Sequence, residues 1–469
     1  MSAPKSDADG KPRMRISVPR VLLVGGVVAA LGFAGMQLSQ TAVAKTAPSV
    51  GATTYASYTD VTAIPVAHFE VPTGPAHQNE ILAFIVADKA EACTPSWGTY
   101  FTLGSADSQL DLTRRIALLR TNGGDVRVSF GGAANSELAN ACTDPAALAS
   151  AYASVVDHYD LSSIDLDVEG AALGDSVVSL RRAHAIKAVQ DRAAKRGRAL
   201  AVWLTLPVST HGLTDQGFAE LATMLAAKVD VAGVNGMTMD FGDSKPADMS
   251  MVSAIEAATN ELQRQVGVAY SQAGINLDPA STWAKIGITP MIGQNDVAGE
   301  RLTIADATAV NAFARTKGVG LISMWSANRD ANCASPIPVI STVVQTFCSG
   351  VDQGQALFHN VLSLKTNDAG FGKARAVATV DPRSVVDDPR TSPFAIWSAT
   401  VQYPTATRIV WRRNVYQAKW VTRGDTPDMS VVHASDSPWQ LIGPVLPGDR
   451  PAPMPSAAKG TYPAWSATA

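Results

Sequence analysis

Eight short β-rich runs, most of them followed by a helical stretch, constrain this 469-residue chain more than any other feature. They are TTYASYT (53–59), ILAFIVA (81–87), DVRVSF (125–130), SIDLDVE (163–169), LAVWLTL (200–206), VAGVNGMTM (231–239), KIGIT (285–289) and GLISMW (320–325). Between them lie LTRRIALLRT (112–121), PAALASAYASVVDHY (145–159) and SLRRAHAIKAVQDRAAKRG (179–197), the last with apolar positions at helical spacing and a Lys/Arg-Gly stop. Strands alternating with helices over ~300 residues predict an α/β fold, a parallel sheet closed into a (β/α)8 TIM barrel. An open doubly wound sheet is the alternative. No GxGxxG or GxxxxGK[ST] follows the first run, which removes support for nucleotide binding.

The flanks read differently. Lys5, Lys11, Arg13, Arg15 and Arg20 precede an uncharged run from Val21 to Met36, and Ala42-Val43-Ala44 follows as a small-residue cleavage site. Residues 1–44 therefore predict an export signal, with a retained membrane anchor as the alternative. The barrel is expected over 45–350, a linker over 351–392, a small all-β module over 393–449 and a disordered Pro/Ala-rich tail over 450–469. Net charge is −3, from 38 Lys+Arg against 41 Asp+Glu. No basic excess exists to neutralise phosphates, so nucleic acid is not an expected partner, and a membrane is one only if residues 1–44 stay as an anchor. An exported chain makes its even number of cysteines a disulfide framework. The strand layout favours the pairs Cys93–Cys142 and Cys333–Cys348 over the two other pairings. None of the seven His falls in a metal or triad pattern, and no metal or cofactor is expected.

The chemistry concentrates in the fourth run. Asp165, Asp167 and Glu169 sit at i, i+2 and i+4 and share one face of a strand, while Ile164, Leu166 and Val168 face the other way. In a barrel this aims the acids inward, rising toward the C-terminal mouth. Successive acids stand about 6.6 Å apart, where two unit charges repel by ~2.5 kcal/mol at an effective dielectric near 20. Protons must be shared, and the outermost acid, Glu169, is expected to have the raised pKa of a general acid.

With these residues in view, the chain resembles glycoside hydrolase family 18, the chitinases. The family pattern DGxDxDxE is met at Asp165, Asp167 and Glu169, with Ser162-Ser163 in place of its leading Asp-Gly. SxGG appears as Ser129-Phe130-Gly131-Gly132, MxYD as Met237-Thr238-Met239-Asp240, and the closing tryptophan as Trp325. GITPMIGQND (287–296) also looks like the seventh-strand region of bacterial members. The resemblance implies Glu169 as proton donor, Asp167 as partner of the substrate's acetamido N–H, and Asp165 holding the proton shared with Asp167. It implies Asp240 as a further seat for the acetamido group, Trp325 as the floor, and Gly131 and Gly132 as room at the bottom of the site. The nucleophile would be the substrate's own N-acetyl carbonyl. Met237 is expected in the pocket wall. Met239 replaces the family's Tyr, so the sixth strand lacks that hydroxyl.

Among loop residues, Trp97 is expected to stack on a sugar or pack beside Cys93, and Gln294 and Asn295 to hydrogen-bond hydroxyls. Trp203 is read as structural. Residues 415–427 (VYQAKWVTRGDTP), with Trp397 before and Trp439 after, resemble chitin-binding modules of carbohydrate-binding families 5 and 12. Tyr416 and Trp420 would join those two in the binding face, with Val421 standing where the family has a second Trp. The implied function is a secreted chitinase acting on chitin or N-acetylglucosamine oligomers. The alternatives are a non-catalytic carbohydrate-binding protein and an endo-β-N-acetylglucosaminidase acting on glycans.

Overall fold

All eight expected strands are present, and the sheet they form closes on itself. The computed structural model describes residues 53–71, 79–333, 344–366, 371, 386–429, 436–446 and 449–452. The expected export signal, most of the tail and residues 372–385 of the expected linker lie outside the described residues. The first strand comes in two pieces. Thr54–Tyr55 pairs in parallel with Leu321–Ile322, the eighth strand, and Ser57–Asp60 pairs in parallel with Asn79–Ala87, the second. Between them run Asp125–Gly131, Ser163–Asp167, Ala201–Ser209, Val231–Met237 and Ile286–Thr289, each parallel to its neighbour. Because the first strand bonds both the second and the eighth, there is no open edge, and the doubly wound alternative is excluded.

The helices form the outer ring, and their starts are written locally. Asp144 caps Pro145–His158 with Pro in the first turn, and Asp175 accepts from the Val177 and Val178 amides ahead of Ser176–Lys195. Thr303 and Asp306 form a capping box for Ile304–Lys317, which ends on left-handed Gly318. Ile164, Leu166 and Val168 are buried in the layer between sheet and helices, each worth about 1.5–3 kcal/mol of burial. Trp203 is structural, as read. It fills the barrel interior against Gly233, with the Arg127 guanidinium 4.9 Å from its ring centroid. The disulfides are Cys93–Cys142 and Cys333–Cys348, the pairing the layout favoured.

The C-terminal strands Arg408–Trp411, Asn414–Ala418 and Trp439–Pro444 make an antiparallel three-stranded sheet, and Gln402–Tyr403 pairs with Thr422–Arg423. Trp439 was expected in a binding face, but it is core. It is 4% exposed, and its indole N–H donates to the Asp425 carbonyl at 2.9 Å. Trp397 and Tyr416 also pack partly against that core, leaving Trp420, 45% exposed, as the outward ring. The module is seated on the barrel helix Leu112–Thr121. Arg114 pairs with Asp449 at 3.0 Å, Arg408 donates to Asp111 at 2.7 Å, and a Cβ on Gly443 would lie 2.5 Å from the Arg114 carbonyl.

Glu80, on the outer side of the second strand, is buried and accepts from the Thr59 hydroxyl at 2.8 Å and the Ser57 hydroxyl at 3.1 Å. Burial, with a smaller push from Glu70, raises its pKa to about 8 against the opposing pull of the two hydroxyls. A carboxyl raised in the fold contributes fully below its unfolded value of 4.5, and that contribution is lost as pH rises toward about 8. Glu80→Gln should therefore match wild type in urea denaturation at pH 4.5. At pH 9 it should be the more stable protein by on the order of a few kcal/mol. Equal midpoints at pH 9 would show that Glu80 ionises without cost.

Candidate active site

The fourth strand delivers its acids as its alternation requires, and each meets a different environment. Asp165 is fully buried and accepts three hydroxyls: Tyr58 at 2.9 Å, Ser129 at 2.7 Å and Thr205 at 2.7 Å. Asn235 extends the ring, donating to Thr205 at 3.0 Å and accepting from Thr289 at 2.9 Å. Six strands, the first and the third to seventh, thus supply a polar girdle inside the barrel. Burial still holds the Asp165 pKa above the carboxylate range, against the pull of Thr205, the Arg127 charge, Ser129 and Tyr58.

Asp167, one step higher, is 5% exposed, and its Oδ1 has no hydrogen-bond partner. Burial, then the charges of Glu169 and Asp165, push its pKa well above the ordinary value, and it shares a hydrogen bond with Glu169. Glu169 is also raised, by burial, but that shared bond pulls it back. Glu169 is thus raised, the direction expected of the outermost acid, and Asp167 is raised with it. Asp165's oxygens are engaged by three hydroxyls, whereas Asp167 faces its neighbouring acid.

Glu169 stands beyond the strand, which ends at Asp167. Its backbone is extended (φ −144°, ψ 177°) and leads into the short turn Gly170–Ala172. Gly131 and Gly132 border the acids, and a side chain at either would strike the protein itself. With φ of +107° and +85°, they sit where L side chains are strained. A Cβ on Gly131 would lie 2.0 Å from the Asp167 carbonyl, and one on Gly132 3.0 Å from the Phe84 ring.

Trp325, just past the eighth strand, is half-buried and stacks on Phe84 with centroids 5.5 Å apart and planes at 27°. Phe84 was missed because strict alternation puts it in phase with Leu82, on the outer face. A register shift between Leu82 and Ile85 changes that phase. Met237 and Met239 are both half-buried, Met237 in phase with inward Asn235.

Asp240 follows the sixth strand in a left-handed conformation (φ 49°). Its Oδ1 accepts from the Val297 amide at 2.9 Å, its own amide donates to Asn295 Oδ1 at 3.3 Å, and Glu300 accepts from the next two amides at 2.9 Å each. Burial raises its pKa, Asp296 adds to this, and the Val297 amide and Arg329 oppose it. Gln294 and Asn295, expected to meet hydroxyls, are instead buried. Asn295 donates to the Met291 and Gly293 carbonyls, and the Gln294 carbonyl accepts from Arg329 at 2.7 Å. Trp97 is wholly buried with its indole N–H on the Tyr159 hydroxyl at 2.9 Å, so it is no platform for a sugar. Among the described residues no cluster of His, Cys, Asp and Glu could hold a metal ion.

A closed (β/α)8 barrel with a ladder of carboxyls at the mouth of its fourth strand and a tryptophan past its eighth is the class that fold and site define. Known proteins of that class are what the chain is similar to. It is 35% identical over 256 residues to the probable bifunctional chitinase/lysozyme of Escherichia coli strain K12, covering 53% of this chain and 28% of that protein. It is 34% identical over 266 residues to endochitinase 11 of Metarhizium anisopliae, covering 54% of this chain and 48% of that one. The chain thus spans less than half the length of the curated relatives it matches. The catalytic domain of the hyperthermophilic chitinase from Pyrococcus furiosus superposes with a TM-score of 0.56 at 25% identity, over 66% of this chain and 93% of that domain. No family model matches the chain.

Proposed function

We propose that this protein is an exported chitinase that hydrolyses β-1,4 linkages between N-acetylglucosamine units with retention of configuration. The observation that carries the reading is the line of carboxyls at the mouth of the fourth strand, Asp167 and Glu169 above the buried Asp165, with the upper two raised by burial. A proton passed from Asp167 to Glu169 and on to the glycosidic oxygen releases the leaving sugar. Asp167, now ionised, accepts from the acetamido N–H with an oxygen that has no other partner. The acetamido oxygen attacks the anomeric carbon, and water, deprotonated by Glu169, then opens the resulting ring from the same face the leaving group left. Trp325 and Phe84 offer the apolar surface beneath the sugar. The similarity to proteins named as chitinases supports chitin as the substrate class. The presence of Glu169 favours an enzyme over a non-catalytic binder. Two formed disulfides support export.

The test is NMR of fresh product from a chito-oligosaccharide at early times. The β-anomer should appear first and mutarotate afterwards. An α-anomer at the outset would require an inverting pair of carboxyls and overturn the reading.

For the C-terminal module we propose adsorption to insoluble chitin through Trp420, whose exposed ring has the Lys419 ammonium 4.8 Å from its centroid. Trp420→Ala should lower the fraction bound to chitin while leaving soluble-oligomer hydrolysis alone. Unchanged adsorption would place the contact elsewhere.

A further inference from the structure

Arg182, on the helix Ser176–Lys195, is fully buried, and none of the chemistry above uses it. Its guanidinium reaches three parts of the fold. Nη1 donates to Glu220 at 2.8 Å on the helix Asp215–Ala226. Nη2 and Nε donate to Glu137 Oε2 at 3.1 and 3.3 Å in the loop after the third strand. Nη2 also donates to the Ala172 carbonyl at 3.3 Å, in the turn that follows Glu169. That turn holds the acid's backbone, since the Ala172 amide donates to the Glu169 carbonyl at 3.1 Å. Glu137 is fixed in turn by the Tyr152 hydroxyl and the Ala139 amide, and its Cγ would lie 3.4 Å from a Cβ on Gly131. Gly132 donates to the Asp167 carbonyl at 3.1 Å. The loops on both sides of the Asp167–Glu169 pair are therefore referenced to one buried cation.

We infer that Arg182 is a positioning residue that sets the distance between the Glu169 and Asp167 carboxyls, and so the transfer of their shared proton. The inference rests on the chitinase reading for its kinetic consequence, but not for its geometric one. Glu169 lies past the sheet, where no ladder hydrogen bond fixes it. A strand end is rigid, whereas a three-residue turn needs an external hold. A planar five-donor fork can span carboxylate, carboxylate and carbonyl at once; an ammonium cannot keep that geometry. An error of about 1 Å in a catalytic group can cost ~10²-fold in rate.

The experiment compares Arg182→Lys with Glu220→Gln in the full-length chain. Both weaken the buried network and should lower the urea midpoint. Only Arg182→Lys loosens the turn, so it should lower kcat on chito-oligosaccharides by at least ~10-fold with KM within about threefold. Glu220→Gln should keep kcat within about twofold of wild type. In carbon-13 NMR of the carboxyls, the upper step of the Asp167–Glu169 titration should fall by about half a pH unit or more in Arg182→Lys, because the two groups interact less. Should Arg182→Lys not fold, Glu137→Gln loosens the same fork, and kcat should fall at least about threefold beside an unchanged Glu220→Gln. If wild type cleaves no oligomer but the titration shifts as stated, the chitinase reading fails and the positioning role stands. If wild type cleaves and the folded Arg182 or Glu137 variant keeps both kcat and titration, the positioning role is wrong. It is equally wrong if Glu220→Gln loses kcat in step with its stability, since the network would then be merely structural.

Discussion

Glu169→Gln should leave a folded protein that binds N-acetylglucosamine oligomers and turns them over ~10²–10⁴-fold more slowly. Gln keeps the shape and can still accept from Asp167, so the buried pair is not left open. What is lost is the only carboxyl of the ladder that is not nearly or fully buried: Asp165 is 0% and Asp167 5% exposed. No proton then reaches the glycosidic oxygen, although Asp167 still holds one. Single-turnover kinetics with a labelled oligomer, beside calorimetric binding, separate the two effects. Near-normal rates would mean that another group protonates the leaving sugar, and the proposed mechanism would fall with it. Loss of binding together with rate would instead mark Glu169 as part of the sugar's seat.

Gly131→Ala is expected to be nearly as damaging while touching no acid. The new methyl would start 2.0 Å from the Asp167 carbonyl oxygen, well inside contact distance, with a backbone φ of +107° that alanine reaches only under strain. The backbone strain alone is worth about 1–3 kcal/mol. Overlap with backbone cannot be relieved by turning a side chain, so the third and fourth strands must part where Gly131 pairs with Asp167. A melting temperature lower by several degrees and a kcat reduced ~10²-fold are expected together, measured by calorimetry and oligomer hydrolysis. Wild-type values of both would show that the strands have slack at this point. Gly132→Ala should be milder, because its methyl would meet the edge of the Phe84 ring at 3.0 Å, and a side chain can yield.

Much of the barrel was legible because period-two and helical patterns are local. Asp165, Asp167 and Glu169 had to share a face whatever the sheet did, and Ile164, Leu166 and Val168 had to share the other. Asp-Pro and Asp-Ser helix starts are likewise local. What failed did so where alternation breaks or where distant segments meet. Phe84 escaped because one register shift turns a side chain to the opposite face. Trp439 was assigned to a sugar by residue type, and Trp97 was left open between a sugar and packing beside Cys93. Only packing shows that their indole N–H groups already have partners in Tyr159 and the Asp425 carbonyl. Gln294 and Asn295 look like loop donors in the chain, yet they brace the Asp240 and Arg329 segments.

By itself, then, the sequence determined the eight strands, the inward line of three carboxyls, the class of sugar chemistry they suit and the cysteine pairing. The strands, the line of carboxyls and the cysteine pairing follow from short-range periodicity and the order of elements along the chain, and the sugar chemistry from the motifs that resemble glycoside hydrolase family 18. Closure of the barrel, the burial that raises Asp167 and Glu169, and the seating of the module on Leu112–Thr121 were decided only in three dimensions. So was the hold of Arg182 on the turn behind Glu169. These depend on hydroxyls, carbonyls and charges brought from positions 10 to more than 300 residues apart, such as Arg182–Ala172 and Arg114–Asp449. A carboxyl's proton is set by what surrounds it, and nothing in the local chain states which distant groups those will be.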